Sequence, residues 1–184
     1  MTYDSLGLPR IQGADDLQDS AMFAGLLTVF EINLQIPLMS YLQFPTGYVR
    51  HPLEQKYDMS RDQFVCLFAG YWKRGLGAWV EKSWIISKDF ISPSVNGHIK
   101  RCQGNKASWF EDAWLWLDVA YHALITPLAE PNQLLCMMLV ADPKYLLWWK
   151  KHNKKWKQSI EDYWCGWRNE PEVALQMIST LEKL

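Results

Sequence analysis

The chain has 184 residues, enough for one domain with a sizeable core. Hydrophobic residues make up 49% and charged ones 21%, which excludes a disordered polymer. The formal net charge of -1 offers no long-range pull on a polyanion.

Eleven tryptophans suit a core or an interface, because the indole is apolar at one end and carries a donor at the other. Cys66, Cys102, Cys136 and Cys165 are scattered, with no Cys-x-x-Cys, and three fall in apolar helical patterns. Buried free thiols and an intracellular origin are therefore expected. No pair of Cys or His has ligand spacing, so neither a metal site nor a cofactor is expected. The N-terminus has no basic region followed by an apolar run and a cleavage site, so no signal peptide is expected. The apolar run from Ala21 to Phe30 contains Gly25 and Thr28 and falls short of the roughly 20 residues that span a bilayer. These features predict no membrane association.

In chain order, residues 1–14 read as an irregular segment, broken by Gly7, Pro9 and Gly13. Asp15, with Gln18 three residues on, caps a predicted helix from Asp16 to about Ile32. Asp19 and Ser20 are expected to face outward from its first turn. Ile36-Pro37 ends the element. Leu38 to Phe44 is a short apolar helix or packed loop. Tyr48 to Pro52 is extended, with His51 as a loop residue.

Met59-Ser60-Arg61-Asp62-Gln63 is the stretch the rest is organised around. Ser60 and Gln63 form a capping box before the apolar run Phe64 to Trp72. Asp62 suits the positive end of that helix, whereas Arg61 needs an anion, with Asp19 or Asp89 expected to supply it. The helix should end near Gly75 and Gly77. Ala78 to Ile86 fits helix or strand. Ser92-Pro93 starts a short helix to about Cys102 that carries His98 and Arg101.

Ser108 and Glu111 form a second capping box, and Trp109 to Thr126 is apolar nearly all round, which predicts the central core helix. Asp118 and His122 lie four apart on it, as a self-satisfied pair or as a base with its orienter. Pro131 to Ala141 is a further helix. Asp142-Pro143 starts one that runs to about Trp167, with the stripe Tyr145, Trp149, His152, Trp156, Ile160, Tyr163 and Trp167. Lys150, Lys151, Lys154, Lys155 and Lys157 form its basic surface. From Asp142 to Arg168 seven positive charges oppose three negative ones, a local net of +4. Glu170-Pro171 starts the last helix, burying Val173, Ala174, Met177, Ile178 and Leu181. The expected architecture is all-α, a single domain of six to eight helices around a buried Trp-rich central helix.

Arg50-His51-Pro52, then Ser60-Arg61-Asp62-Gln63, Asp89, Ser92-Pro93, His98 and Arg101 together resemble a group of uncharacterised helical proteins encoded by bacteriophages. Asp19-Ser20 followed by Gly25-Leu26-Leu27 fits the same pattern. Similar Asp-Ser and Ser-Arg-Asp-Gln helix starts occur in helical α/α toroid proteins, some of which act on glycans. The resemblance covers about half the chain, from Asp15 to Gly104. It implies a helical fold and a phage origin, and carries no catalytic residues.

Asp19, Arg61, Asp62, Asp89, His98 and Arg101 form the candidate polar site. The first functional expectation is a non-catalytic phage protein, a virion component or accessory factor acting through protein partners, other virion proteins among them. It would be made in the host cytoplasm and either stay there or enter the virion. An alternative is a glycan-active toroid-like enzyme, since glycosidases use paired carboxylates. A second alternative is nucleic-acid binding through the basic helix, where aromatic and basic residues interleave. A lysine face on an amphipathic helix is more often simply solvated, which ranks that reading below protein binding.

Overall fold

The computed structural model describes residues 1–10, 17, 19–43, 47–48, 51–53, 61–76, 93–129 and 132–184. Among them are eight α-helices and only two-residue strands, so the protein is all-α. Its residues fall into two compact units, Met1–Ile91 and Ser92–Leu184.

The first unit opens with a small hairpin where the sequence suggests irregular chain. Strands β1 (Thr2–Tyr3) and β2 (Pro9–Arg10) pair antiparallel. The Asp4 carboxylate makes the turn, accepting the amides of Leu6 at 2.8 Å and Leu8 at 2.9 Å, while Gly7 takes φ 74°. His51 is a buried anchor rather than a loop residue. Its Nε2 lies 2.7 Å from the other Asp4 oxygen, and its Nδ1 accepts the Leu53 amide at 3.2 Å. An accepting Nδ1 leaves the ring proton on Nε2, facing the carboxylate.

Helix α1 (Ser20–Val29) is buried at all ten positions. It, rather than the Ser108–Thr126 stretch, is the helix closed off on every side. Ser20 does not face outward: its hydroxyl is 2.7 Å from the Tyr41 hydroxyl in the core. Helix α2 (Arg61–Lys73) packs directly against α1. Glycine makes this possible, because a Cβ at Gly25 would sit 2.0 Å from the Cys66 carbonyl oxygen, and one at Gly70 would sit 2.9 Å from the Gly25 Cα. A 3-10 turn, Leu38–Tyr41, lies beside both helices, held by the Tyr71 hydroxyl on the Leu38 carbonyl at 2.6 Å. It leads into β3 (Leu42–Gln43), paired with β4 (Gly47–Tyr48).

Both helices end in Schellman turns. After α2, Gly75 takes φ 71° and the Leu76 amide reaches the Tyr71 carbonyl at 2.9 Å. After α1, Glu31 occupies the same left-handed position with φ 57°, and its carboxylate meets Lys73 at 2.6 Å.

The second unit comprises α3 (Pro93–Cys102), α4 (Trp109–Ala120), α5 (Asn132–Ala141), α6 (Pro143–His152), α7 (Trp156–Glu161) and α8 (Pro171–Glu182). Two helices run on into wide π turns, Tyr121–Ile125 after α4 and Asp162–Trp167 after α7. Helix α3 packs on α4 and α5, α5 on α6, and α7 on α8. The tryptophans of the buried core here are Trp149 and Trp164, with Tyr145, Tyr163 and Leu115 among their apolar company.

Two expectations for this unit need correction. Helix α4 buries only the stripe Glu111, Leu115, Val119 and Ala123, leaving Trp114 and Trp116 46% and 40% exposed. All-round apolarity states what a helix could bury, not what its neighbours cover. The predicted 142–167 helix is broken at Asn153, which is buried. Its side-chain NH2 donates to the Pro127 carbonyl at 3.1 Å, and its oxygen accepts the Lys155 amide at 2.9 Å. Those local bonds compete with helical ones and end α6. The π turn after α7 then shifts the stripe, so Trp164 points in and Trp167 is exposed. Of the four thiols, Cys66 and Cys136 are buried, Cys102 is half-buried and Cys165 is exposed; all are free.

Candidate functional site

Of the candidate polar site, His98 and Arg101 lie in the second unit. His98 and Arg101 converge. Asp19 lies in the first unit, before α1, and makes no side-chain cap. The side chains of Arg61 and Asp62 and the whole of Ser60 and Asp89 lie outside the described residues, as does the expected Arg61 pairing.

His98 and Arg101 meet on Asp142, which by sequence is a helix start. It precedes α6, with Pro143 in the first turn, yet its carboxylate does not cap the helix. One oxygen instead contacts His98 Nδ1 at 2.7 Å and Arg101 Nη1 at 3.2 Å. Arg101 also pairs with Asp112 and donates to the Tyr145 hydroxyl at 3.4 Å; that hydroxyl donates to Asp112 at 3.3 Å. The guanidinium carbon lies 5.4 Å from the Tyr145 ring centre, and the Lys144 ammonium 4.7 Å from it. A second knot lies one turn away. Glu111 closes the Ser108 capping box as expected, accepting the Ser108 amide at 2.7 Å, and also holds Lys100 at 2.7 Å and Asn96. Gly97 admits this contact, since a Cβ there would come within 3.3 Å of the Glu111 Cβ.

The chemistry of these groups is restrained. With Nδ1 on a carboxylate, His98 would offer Nε2 as a base, and that atom has no hydrogen-bond partner. But His98 is only 1% exposed, and none of the hydroxyl or thiol groups beside this network is activated. Burial, then the Asp142 charge, push the Cys102 thiol up to about 12. Burial also raises the Tyr145 phenol, with Arg101 opposing and Asp142 adding to it. The Ser94 hydroxyl donates to the Asp118 carboxylate at 2.9 Å. The Asp118–His122 pair is loose at 3.9 Å; burial lowers the His122 pKa, and Asp118 only partly opposes this. Burial pushes the Glu111 carboxyl up, but Lys100 and the Ser108 amide and hydroxyl outweigh it and hold it below the usual range. Among the described residues, no group of three or more His, Cys, Asp or Glu is placed to hold a metal.

The basic surface is partly committed within the chain. Lys150 donates to the Leu181 carbonyl at the end of α8, and Lys157 pairs with Glu182. Lys154 bonds the Lys151 carbonyl at 2.9 Å. Lys150 and Lys157 flank the Trp156 ring at 5.8 and 5.5 Å. Arg168 lies 4.1 Å from the centre of the exposed Trp167.

A long apolar face lies in solvent where the sequence predicts core. Phe110, Trp114, Leu117, Tyr121, Leu124 and Ile125 are exposed along α4 and its π turn, and Trp109 at its start is 82% exposed. Trp116 is set apart from them. It packs edge-on to Tyr145 at 4.5 Å and to Trp148 at 5.6 Å, and Trp148 stacks on His152 at 4.0 Å. The periodicity of α4 carried the signal for this face; what it lacked was the extent of its cover.

Fold and site together define an all-α protein with a buried ionic network and a bare aromatic helix face. No protein-family model, no curated protein and no solved structure matches the chain. Among the described residues, no helix is long and apolar enough to cross a membrane.

Proposed function

We propose that this chain is a non-catalytic binding protein that engages a protein partner through the aromatic face of α4 and its π turn. The observation that carries this is the row of large apolar side chains from Trp109 to Ile125, eight of them each 40% or more exposed. A monomer rarely leaves an apolar patch beyond about 300–600 Å² uncovered unless it binds something there. Aromatic side chains also supply the anchors of protein interfaces. The buried His98–Asp142–Arg101 network reads as the brace that fixes α3, α4 and α6 behind that face. A role as accessory factor or virion component of a phage rests on the Arg50-His51-Pro52 and Ser60-Arg61-Asp62-Gln63 resemblance alone.

The test is a photoreactive amino acid placed at Leu117 and, as a control, at Lys155, in cells making the protein. Position 117 is expected to cross-link to protein and position 155 not to. Equal labelling at both positions, or none at 117, would refute the reading.

A further inference from the structure

The aromatic face of α4 has an internal order that points to its occupant. Phe110, Trp114, Leu117, Tyr121 and Leu124 follow one another at intervals of four, three, four and three residues. That is the spacing of a coiled-coil seam, which a second helix covers by inserting knobs into holes. The positions beside the seam on one edge are Ala113 and Ala120, small enough for a second backbone to come close.

We infer that the occupant is a second copy of this chain, its α4 running antiparallel about a two-fold axis between Leu117 and Tyr121. This rests on the binding role proposed above for the same face. Three observations favour it. The seam is uncharged, and the acidic groups nearest it already have partners in their own chain: Glu111 on Lys100, Asp112 on Arg101, Asp118 on Ser94. Nothing on the face therefore calls for an oppositely charged partner, and two chains of net charge -1 repel little. The seam also alternates in size. Antiparallel pairing sets Trp114 against Leu124 of the other copy and Tyr121 against its Leu117, large against small, as close packing needs. Parallel pairing would set Trp114 against Trp114 and Tyr121 against Tyr121. The area fits as well. The four aromatic side chains of the face, about 150–250 Å² each and roughly half exposed, offer about 300–500 Å², and Leu117, Leu124 and Ile125 add to it toward the roughly 800 Å² that one partner gives to a standard interface.

The experiment is sedimentation of the purified full chain across protein concentration, with Leu117→Lys beside it. The wild type is expected to be a dimer at about 10 μM, a strength common for interfaces of this size. Leu117→Lys should weaken self-association about 30-fold or more while leaving the helical circular dichroism unchanged. In a Cys165→Ser background, Ala120→Cys should form an interchain disulfide on mild oxidation and Ala113→Cys should not, because only position 120 lies beside the axis. A wild type that stays monomeric, or a dimer indifferent to Leu117→Lys, overturns the proposal. Equal cross-linking at 113 and 120 overturns the antiparallel arrangement. A monomeric protein that still cross-links to a different protein through position 117 would sink the self-pairing and leave the binding reading intact.

Discussion

Replacing Gly25 by alanine gives a test in which the structure and helix propensity predict opposite signs. In an exposed helix the change would stabilise by about 1 kcal/mol, because glycine is the poorer helix former. Here the new methyl group would lie 2.0 Å from the Cys66 carbonyl oxygen and 2.4 Å from the Leu67 nitrogen. Ordinary contact begins at 3.4 Å, so α1 and α2 would have to part by about 1.4 Å, the difference between 3.4 and 2.0. Both obstacles are backbone, so no side-chain rotation relieves them. Overpacking of a core costs about 1–3 kcal/mol, and an immovable neighbour puts this site at the upper end. After the propensity gain the net loss is about 2 kcal/mol, or a fall in Tm of about 4–8 °C for a protein of this size. Urea unfolding followed by circular dichroism measures it. Gly166 is the control, since nothing lies within 4 Å of its notional Cβ, and Gly166→Ala should be neutral or mildly stabilising. If Gly25→Ala stabilises as much as Gly166→Ala, the close crossing of α1 and α2 is wrong.

Asp142→Ala should destabilise by about 3 kcal/mol, the lower end for breaking a buried ion pair, because Arg101 keeps Asp112; a Tm within a degree of wild type would contradict the network. Acid should weaken the protein in two steps. His122 has a folded pKa below its usual 6.5, so its contribution is complete above that value and declines as pH falls through it; His122→Gln should flatten that step. Glu111 has a folded pKa below its usual 4.5, so its contribution is complete above 4.5 and is lost as pH falls further; Glu111→Gln should remove this lower step. If the lysine surface binds DNA, affinity must fall by about 0.7–0.9 log units per log unit of salt for each phosphate neutralised. Absence of binding at low salt, or binding untouched by changing Lys150, Lys151, Lys154 and Lys155 to Glu, would eliminate that reading.

Helix ends were the most legible part of the sequence, because their chemistry is local. The Ser108–Glu111 capping box, the turn at Gly75, and the proline starts at Pro93, Pro143 and Pro171 all lie where their residues put them. Exposure was not legible. Helix α1 and the Trp109–Ile125 stretch are both strongly apolar, yet one is sealed on every side and the other covered on one. Which applies depends on neighbours distant in sequence. Of the polar site, His98 and Arg101 could be singled out, but their shared partner could not. Asp142 looks like an N-cap in sequence, and only the packing of α3 against α5 brings His98 and Arg101 to its carboxylate.

The two π turns bear on how this chain tolerates change in length. Removing one residue from an ordinary helix turns everything beyond it by about 100°, which swaps buried and exposed positions. A π turn already holds one residue more than α geometry requires. A single deletion between Tyr121 and Ile125, or between Asp162 and Trp167, can be absorbed by reversion to the narrower turn, with the chain beyond kept in phase. Each such turn is a reserve of one residue, held at the end of a helix whose upstream packing the loss would leave untouched.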